Sequence, residues 1–229
     1  MAGLGMVQRL TGDYPAAAAS LRQAQEIFGQ VGDRANHAAS LGEIGIVHRL
    51  TGEYATAADC LGQSLGLSRD LGDRLSQADV LGQLGALHVL TGDHPTAADC
   101  LGQALEIARA IGARLIEAAA LNSLGELRLR CAAGREAEQN HPAALAIACE
   151  LGAPVEEARA REGIGRCRIQ AGDHREGVAQ LRQALASYQR LGDPAATRVR
   201  QALHDYGSQP AAPARMGSQA TSRSTSSPG

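Results

Sequence analysis

Residues 74–112 read RLSQADVLGQLGALHVLTGDHPTAADCLGQALEIARAIG, and this stretch decides the fold. Leu81, Leu84, Leu87, His88 and Val89 recur at three- and four-residue spacing and form one face of a helix. Gly92 ends that helix, where a left-handed residue costs little. Asp93 then caps a second helix and Pro95 sits in its first turn, where a missing N–H is harmless. Ala97, Cys100, Leu101, Ala104, Leu105 and Ala108 line one face of that helix, which stops at Ile111-Gly112. Each helix of about 17 residues is about 26 Å long. Neither can bury its stripe alone, so neighbouring pairs must stack.

The same punctuation recurs along the chain. TGDY begins at 11, TGEY at 51, TGDH at 91 and AGDH at 171, with a degenerate CAAG at 131. A second marker keeps the phase: VGDR at 31, LGDR at 71, IGAR at 111, LGAP at 151 and LGDP at 191. The period is 40 residues without slippage, which identifies a repeat array.

Within a unit, Leu81-x₂-Leu84-Gly85-x₂-His88 precedes Ala97-x₃-Leu101 and Ala104. The second unit supplies Leu41, Ile44-Gly45, His48, Ala57 and Leu61; the fifth supplies Ile164-Gly165, Arg168, Gly177, Leu181 and Ala184. This pattern resembles the tetratricopeptide repeat, with large aromatic positions replaced and small crossing residues kept. The resemblance covers about 1–206 and implies an all-α, right-handed superhelix: an α-solenoid of five helix pairs, closed by a helix over 195–206. Interior glycines at 42, 45, 62, 82, 85 and 102 each cost about 1 kcal/mol relative to Ala. They are read as close backbone approaches between paired helices.

Composition agrees with this reading. Aromatic residues make up 2% of the 229, too few for an aromatic-rich β-sandwich or a base-stacking platform. Every one of the 22 basic residues is Arg, yet 24 acids leave a net charge of −2, so no global field draws the chain to nucleic acid. The five cysteines, at 60, 100, 131, 149 and 167, form no CxxC pair. No stretch has the length of an apolar membrane span, and the N-terminus lacks a secretory pattern. A reduced, cytoplasmic protein is expected.

Three departures from the repeat carry expectations. The first helix of the first unit lacks about seven residues, which suggests the C-terminal piece of something longer. Its uncapped edge, Leu4, Val7 and Leu10, is expected to dock on a missing domain or to self-associate. In the fourth unit, Ala132 replaces the turn glycine and Pro142 falls inside the second helix. A break or kink over 135–141 is expected, with Asn140 capping a shortened helix over 141–151. Residues 207–229 lack acids and large aliphatic side chains, apart from one Met, and are expected to form a disordered tail.

Catalytic signatures are missing: there is no GxxxxGK[ST], GxSxG or HExxH. Cys131 and His141 can be drawn as a nucleophile–base pair, but nothing in the sequence orients them. His48 and His88 share a repeat position and read as substitutes for a tyrosine rather than as metal ligands. No catalytic, cofactor or metal residue is therefore assigned.

The family resemblance implies that the first helix of each pair lines a concave groove. Its outward positions are Ile46, Arg49 and Leu50 in the second unit, and Asp79, Ala86, Val89 and Leu90 in the third. Asn122, Glu126, Leu129 and Arg130 follow in the fourth, and Arg159, Glu162, Arg166 and Ile169 in the fifth. The candidate partner-binding set is Arg49, Asp79, Asn122, Glu126, Arg130, Arg159, Glu162 and Arg166. Arginine forks suit carboxylate or phosphate partners. The competing reading is a solvated face laced by Arg159–Glu162 and Glu162–Arg166 pairs along one helix. The Lys/Asn clamp that some family members use for C-terminal carboxylates is not reproduced.

Residues 144–167 and 181–203 also resemble the final repeats of actinomycete antibiotic-regulatory, nucleotide-switching (STAND/NB-ARC) transcriptional regulators. That resemblance implies a sensor that binds a protein or peptide. The ATPase and DNA-binding activities of those regulators are not carried over, because no residues here match them. The expected function is a non-catalytic binding scaffold in signalling or transcriptional regulation. A receptor for a short signalling peptide is the first alternative and an enzyme the last.

Overall fold

The turn signals dictate where each helix starts and stops. The computed structural model describes residues 2–131 and 134–207. Its helices are α1 (Ala2–Leu10), α2 (Tyr14–Val31), α3 (Arg34–Thr51), α4 (Tyr54–Asp70), α5 (Arg74–Thr91), α6 (His94–Ala110), α7 (Arg114–Arg130), α8 (Gly134–Leu151), α9 (Pro154–Gln170), α10 (His174–Leu191) and α11 (Ala195–Gly207). No strand occurs among the described residues. The architecture is five helix pairs and a closing helix. The turn at Ala132 and the tail over 208–229 lie outside the described residues.

Aspartates start five of these helices. The carboxylates of Asp13, Asp33, Asp73, Asp93 and Asp173 each accept the backbone N–H three residues on, at 3.1–3.2 Å, satisfying a donor the helix leaves free. Turn glycines end them, as at Gly92 with φ +83°, a conformation a Cβ would strain.

A glycine-and-knob contact joins the two helices of each pair. Gly5, Gly45, Gly85 and Gly165 on the first helices face Leu21, Leu61, Leu101 and Leu181 on the second. A Cβ at Gly85 would overlap the Leu101 side chain, so the leucine seats directly on helix backbone. This bears out the close-approach reading at Gly45 and Gly85. It fails at Gly62, Gly82 and Gly102, where an added Cβ would meet nothing within 4 Å. Gly42 lies between these cases, its Cβ position 3.2 Å from the Ser64 hydroxyl.

The fourth unit departs from expectation. Helix α8 runs unbroken from Gly134 to Leu151 with Pro142 inside it. Asn140 is not a cap; it is buried and its Oδ1 accepts from Arg128 Nη1 at 3.0 Å. Pro142 removes one helical donor, but α8 is clasped by α7 and α9 on either side, and tertiary packing holds a helix that propensity would interrupt.

Neighbouring first helices touch one another from α1 through α9, whereas each second helix packs chiefly on first helices. The first helices therefore form the inside of the curve and the second helices the outside. At the C-terminal end α11 caps the stack, burying Val199 against α10 alongside Ala196. At the other end Leu4, Met6, Val7 and Leu10 of α1 are exposed.

Candidate functional site

Along the inner face, side chains of successive first helices meet in a polar ladder. Arg9 Nε donates to Glu43 Oε2 at 2.7 Å, and Arg49 Nη2 donates to Gln83 Oε1 at 3.2 Å. Asn122 Nδ2 donates to both the carbonyl (3.1 Å) and the carboxylate (2.9 Å) of Glu156. Arg159 donates to Glu156 at 3.1 Å and to Ser123 Oγ at 3.2 Å. Arg166 bonds Glu126, which also accepts from Arg130 Nε at 2.9 Å. Glu162 is buried and receives Tyr188 Oη at 3.0 Å and both Nε and Nη2 of Arg198, at 3.1 and 2.8 Å.

Every candidate on α7 and α9 is thus tied to its neighbour or to an adjoining helix. The Arg159–Glu162 and Glu162–Arg166 pairs of the competing reading do not form; the partners are Glu156, Arg198 and Glu126. For Glu162 and Arg166 the contact with the neighbouring first helix wins because first helices lie side by side, whereas Arg159 pairs along α9 with Glu156, three residues back. The outward assignment also fails for Ile46, Val89, Asn122, Glu162 and Ile169, which are buried. Glu43, Gln83, Ser123, Glu156, Tyr188 and Arg198 were missed by the sequence reading. Several partners stand 34 or 36 residues apart, slightly less than one period, and that offset was the available signal.

Burial pulls the Arg49 guanidinium down to about 10, helped by the positive charges of Arg159 and Arg9. The Asp79 carboxyl is raised: the groove walls strip part of its hydration and Glu43 adds to this, against a hydrogen bond with Gln83. Asp79 remains open to solvent along the groove.

His141 occupies the knob position of the fourth pair, where the other units carry leucine. It is 2% exposed and wedged between Gly125 and Gly163, at either of which a Cβ would overlap the ring. Its Nδ1 lies 3.3 Å from Asn122 Oδ1 and its Nε2 has no partner. Cys131 is not paired with this histidine; its Sγ lies 3.4 Å from His94 Nδ1 at the surface. Open hollows of about 270 and 580 Å³ flank His48 and His94 between second and first helices, and none of the inner-face candidates lines them. Among the described residues no group of three or more metal-ligating side chains converges, and no helix is long and apolar enough to cross a membrane.

Comparison with known proteins agrees with this architecture. A tetratricopeptide-repeat family model matches residues 1–70 and 37–110. No curated protein matches. Among solved structures, BtubC from P. vanneervenii is similar at 20% identity and a TM-score of 0.64, covering 96% of this chain and 85% of that one. A Rap protein complexed with Competence and Sporulation Factor is similar at 17% identity and a TM-score of 0.75, covering 89% of this chain and 62% of that one. The nearly identical TPR-like repeats of a putative kinesin light chain from Podosopora anserina give 17% identity and a TM-score of 0.59, over 82% of this chain and 92% of that one. At these identities the likeness is one of fold. The family match spans residues 1–110, and the same helix-pair architecture continues from there to α11.

Proposed function

We propose that the chain is a non-catalytic interaction module that receives a peptide segment of a protein partner along the inner face of its first helices. The observation that carries this reading is the polar ladder itself. Half-buried Arg, Gln and Glu side chains are held in place by bonds between helices, so an incoming chain meets donors and acceptors whose ordering cost is already met. The fold of the Rap protein in its complex with Competence and Sporulation Factor is similar, which supports a short signalling peptide as the occupant. The resemblance of 144–167 and 181–203 to transcriptional-regulator repeats supports a sensor role within a regulator. The five free thiols are consistent with a reducing, cytoplasmic setting.

The test blocks the groove without disturbing the core. Gly82 is on α5, one turn from Asp79, and Gly62 is on the outer helix α4; a Cβ at either meets nothing within 4 Å. A random peptide library is selected on the full chain, and the enriched peptides are measured against Gly82→Trp and Gly62→Trp. Loss of binding in Gly82→Trp alone is expected. Retention by Gly82→Trp moves the site off the inner face and overturns the reading.

A further inference from the structure

One rung of the ladder lacks its negative charge. Arg9 and Arg49 occupy the same position in successive units, 40 residues apart, and each reaches the residue 34 further on. For Arg9 that residue is Glu43; for Arg49 it is Gln83, which has the same shape without the charge. The other inner-face arginines described above all hold carboxylates: Arg159 on Glu156, Arg166 and Arg130 on Glu126, Arg198 on Glu162. Among the described residues no carboxylate lies within 4.0 Å of Arg49. Its Nε is buried with no hydrogen-bond partner, an arrangement that costs free energy unless something supplies an acceptor.

The surroundings sharpen the deficit. The strongest charged influences on Arg49 are Arg159 and Arg9, both positive. A guanidinium presents a planar fork that matches a carboxylate in two parallel hydrogen bonds. One missing negative charge suits a singly charged carboxylate.

We propose that Arg49 receives a carboxylate side chain from an acidic peptide laid along the inner face. This rests on the peptide-binding reading above and adds the chemical class of the ligand.

The structure supplies a variant that fills the site from within. Gln83→Glu recreates in the second unit the pair that Arg9 and Glu43 make in the first, so it preserves the fold while removing the vacancy. The probe is fluorescein-labelled decaglutamate, with decaglutamine as its uncharged counterpart, followed by fluorescence anisotropy on the full chain at low and raised salt. The expected result is salt-sensitive binding of decaglutamate, weakened about tenfold or more by Gln83→Glu and by Arg49→Gln. Arg69→Gln, which removes one charge from the outer helix α4, should leave it unchanged. No binding of decaglutamate overturns the proposal, as does equal binding by wild type and Gln83→Glu. If library-selected peptides are lost in Gly82→Trp yet are indifferent to Gln83→Glu, the groove reading stands and the carboxylate assignment falls.

Discussion

Replacing His141 by the leucine that the other pairs carry should change how stability depends on pH. Asn122 donates two bonds through Nδ2 to Glu156, which leaves Oδ1, an acceptor, facing His141 Nδ1. The histidine must therefore carry its proton on Nδ1, and the bare Nε2 lies between Gly125 and Gly163 with no donor or acceptor beside it. A second proton would create a buried cation whose new N–H has no acceptor. Burial accordingly depresses this group to about 4, with Arg159 and Arg166 adding to the effect and Glu126 opposing it. The sign follows from proton counting. The unfolded chain takes up a proton near the ordinary value of 6.5 and the folded chain does not, so the histidine's contribution is complete above 6.5 and is lost as pH falls from there towards 4. Between about pH 7.5 and about pH 5 the loss is about 2 kcal/mol. His141→Leu removes this dependence. Its absolute stability reflects opposing effects, since Asn122 Oδ1 loses its donor while an apolar side chain replaces a half-satisfied ring, so the comparison lies in the slope. Urea unfolding of both proteins across this range, followed by circular dichroism, reads it. Parallel curves for wild type and variant would refute the buried neutral imidazole.

The glycine reading divides two substitutions of the same kind. Gly62→Ala, on an exposed helix position with open space, should raise stability by about 0.5–1 kcal/mol, while Gly85→Ala should lower it by about 1–3 kcal/mol because its Cβ displaces Leu101; thermal midpoints of the two variants measured together would show opposite signs. Glu162→Gln removes the charged acceptor for Arg198 and Tyr188 and should cost about 1.5–3 kcal/mol. Hydrogen exchange should then rise first in α11, and uniform exchange along the chain would contradict the anchoring role of Glu162.

The period of 40 and the paired punctuation of glycine and aspartate specified the number, order and ends of the helices from local chemistry. A glycine such as Gly92 can turn where a Cβ cannot, and Asp93 satisfies a helix donor beside it; both effects act over a few residues and leave a direct mark on the sequence. The closing helix over 195–206 was equally legible, since its amphipathic spacing is local. Pro142 misled because propensity weighs one lost hydrogen bond, whereas the contacts of α8 with α7 and α9 weigh the whole helix. The inner-face candidates could be named by position but not by partner. Whether Glu162 pairs along α9 or across to Arg198, and whether Arg49 finds a carboxylate or only Gln83, depends on the side-by-side register of helices a full repeat apart. Only the tertiary structure decided those pairings, and with them the unmatched charge at Arg49, because they arise from distances that a 34- to 36-residue separation in the chain does not by itself encode.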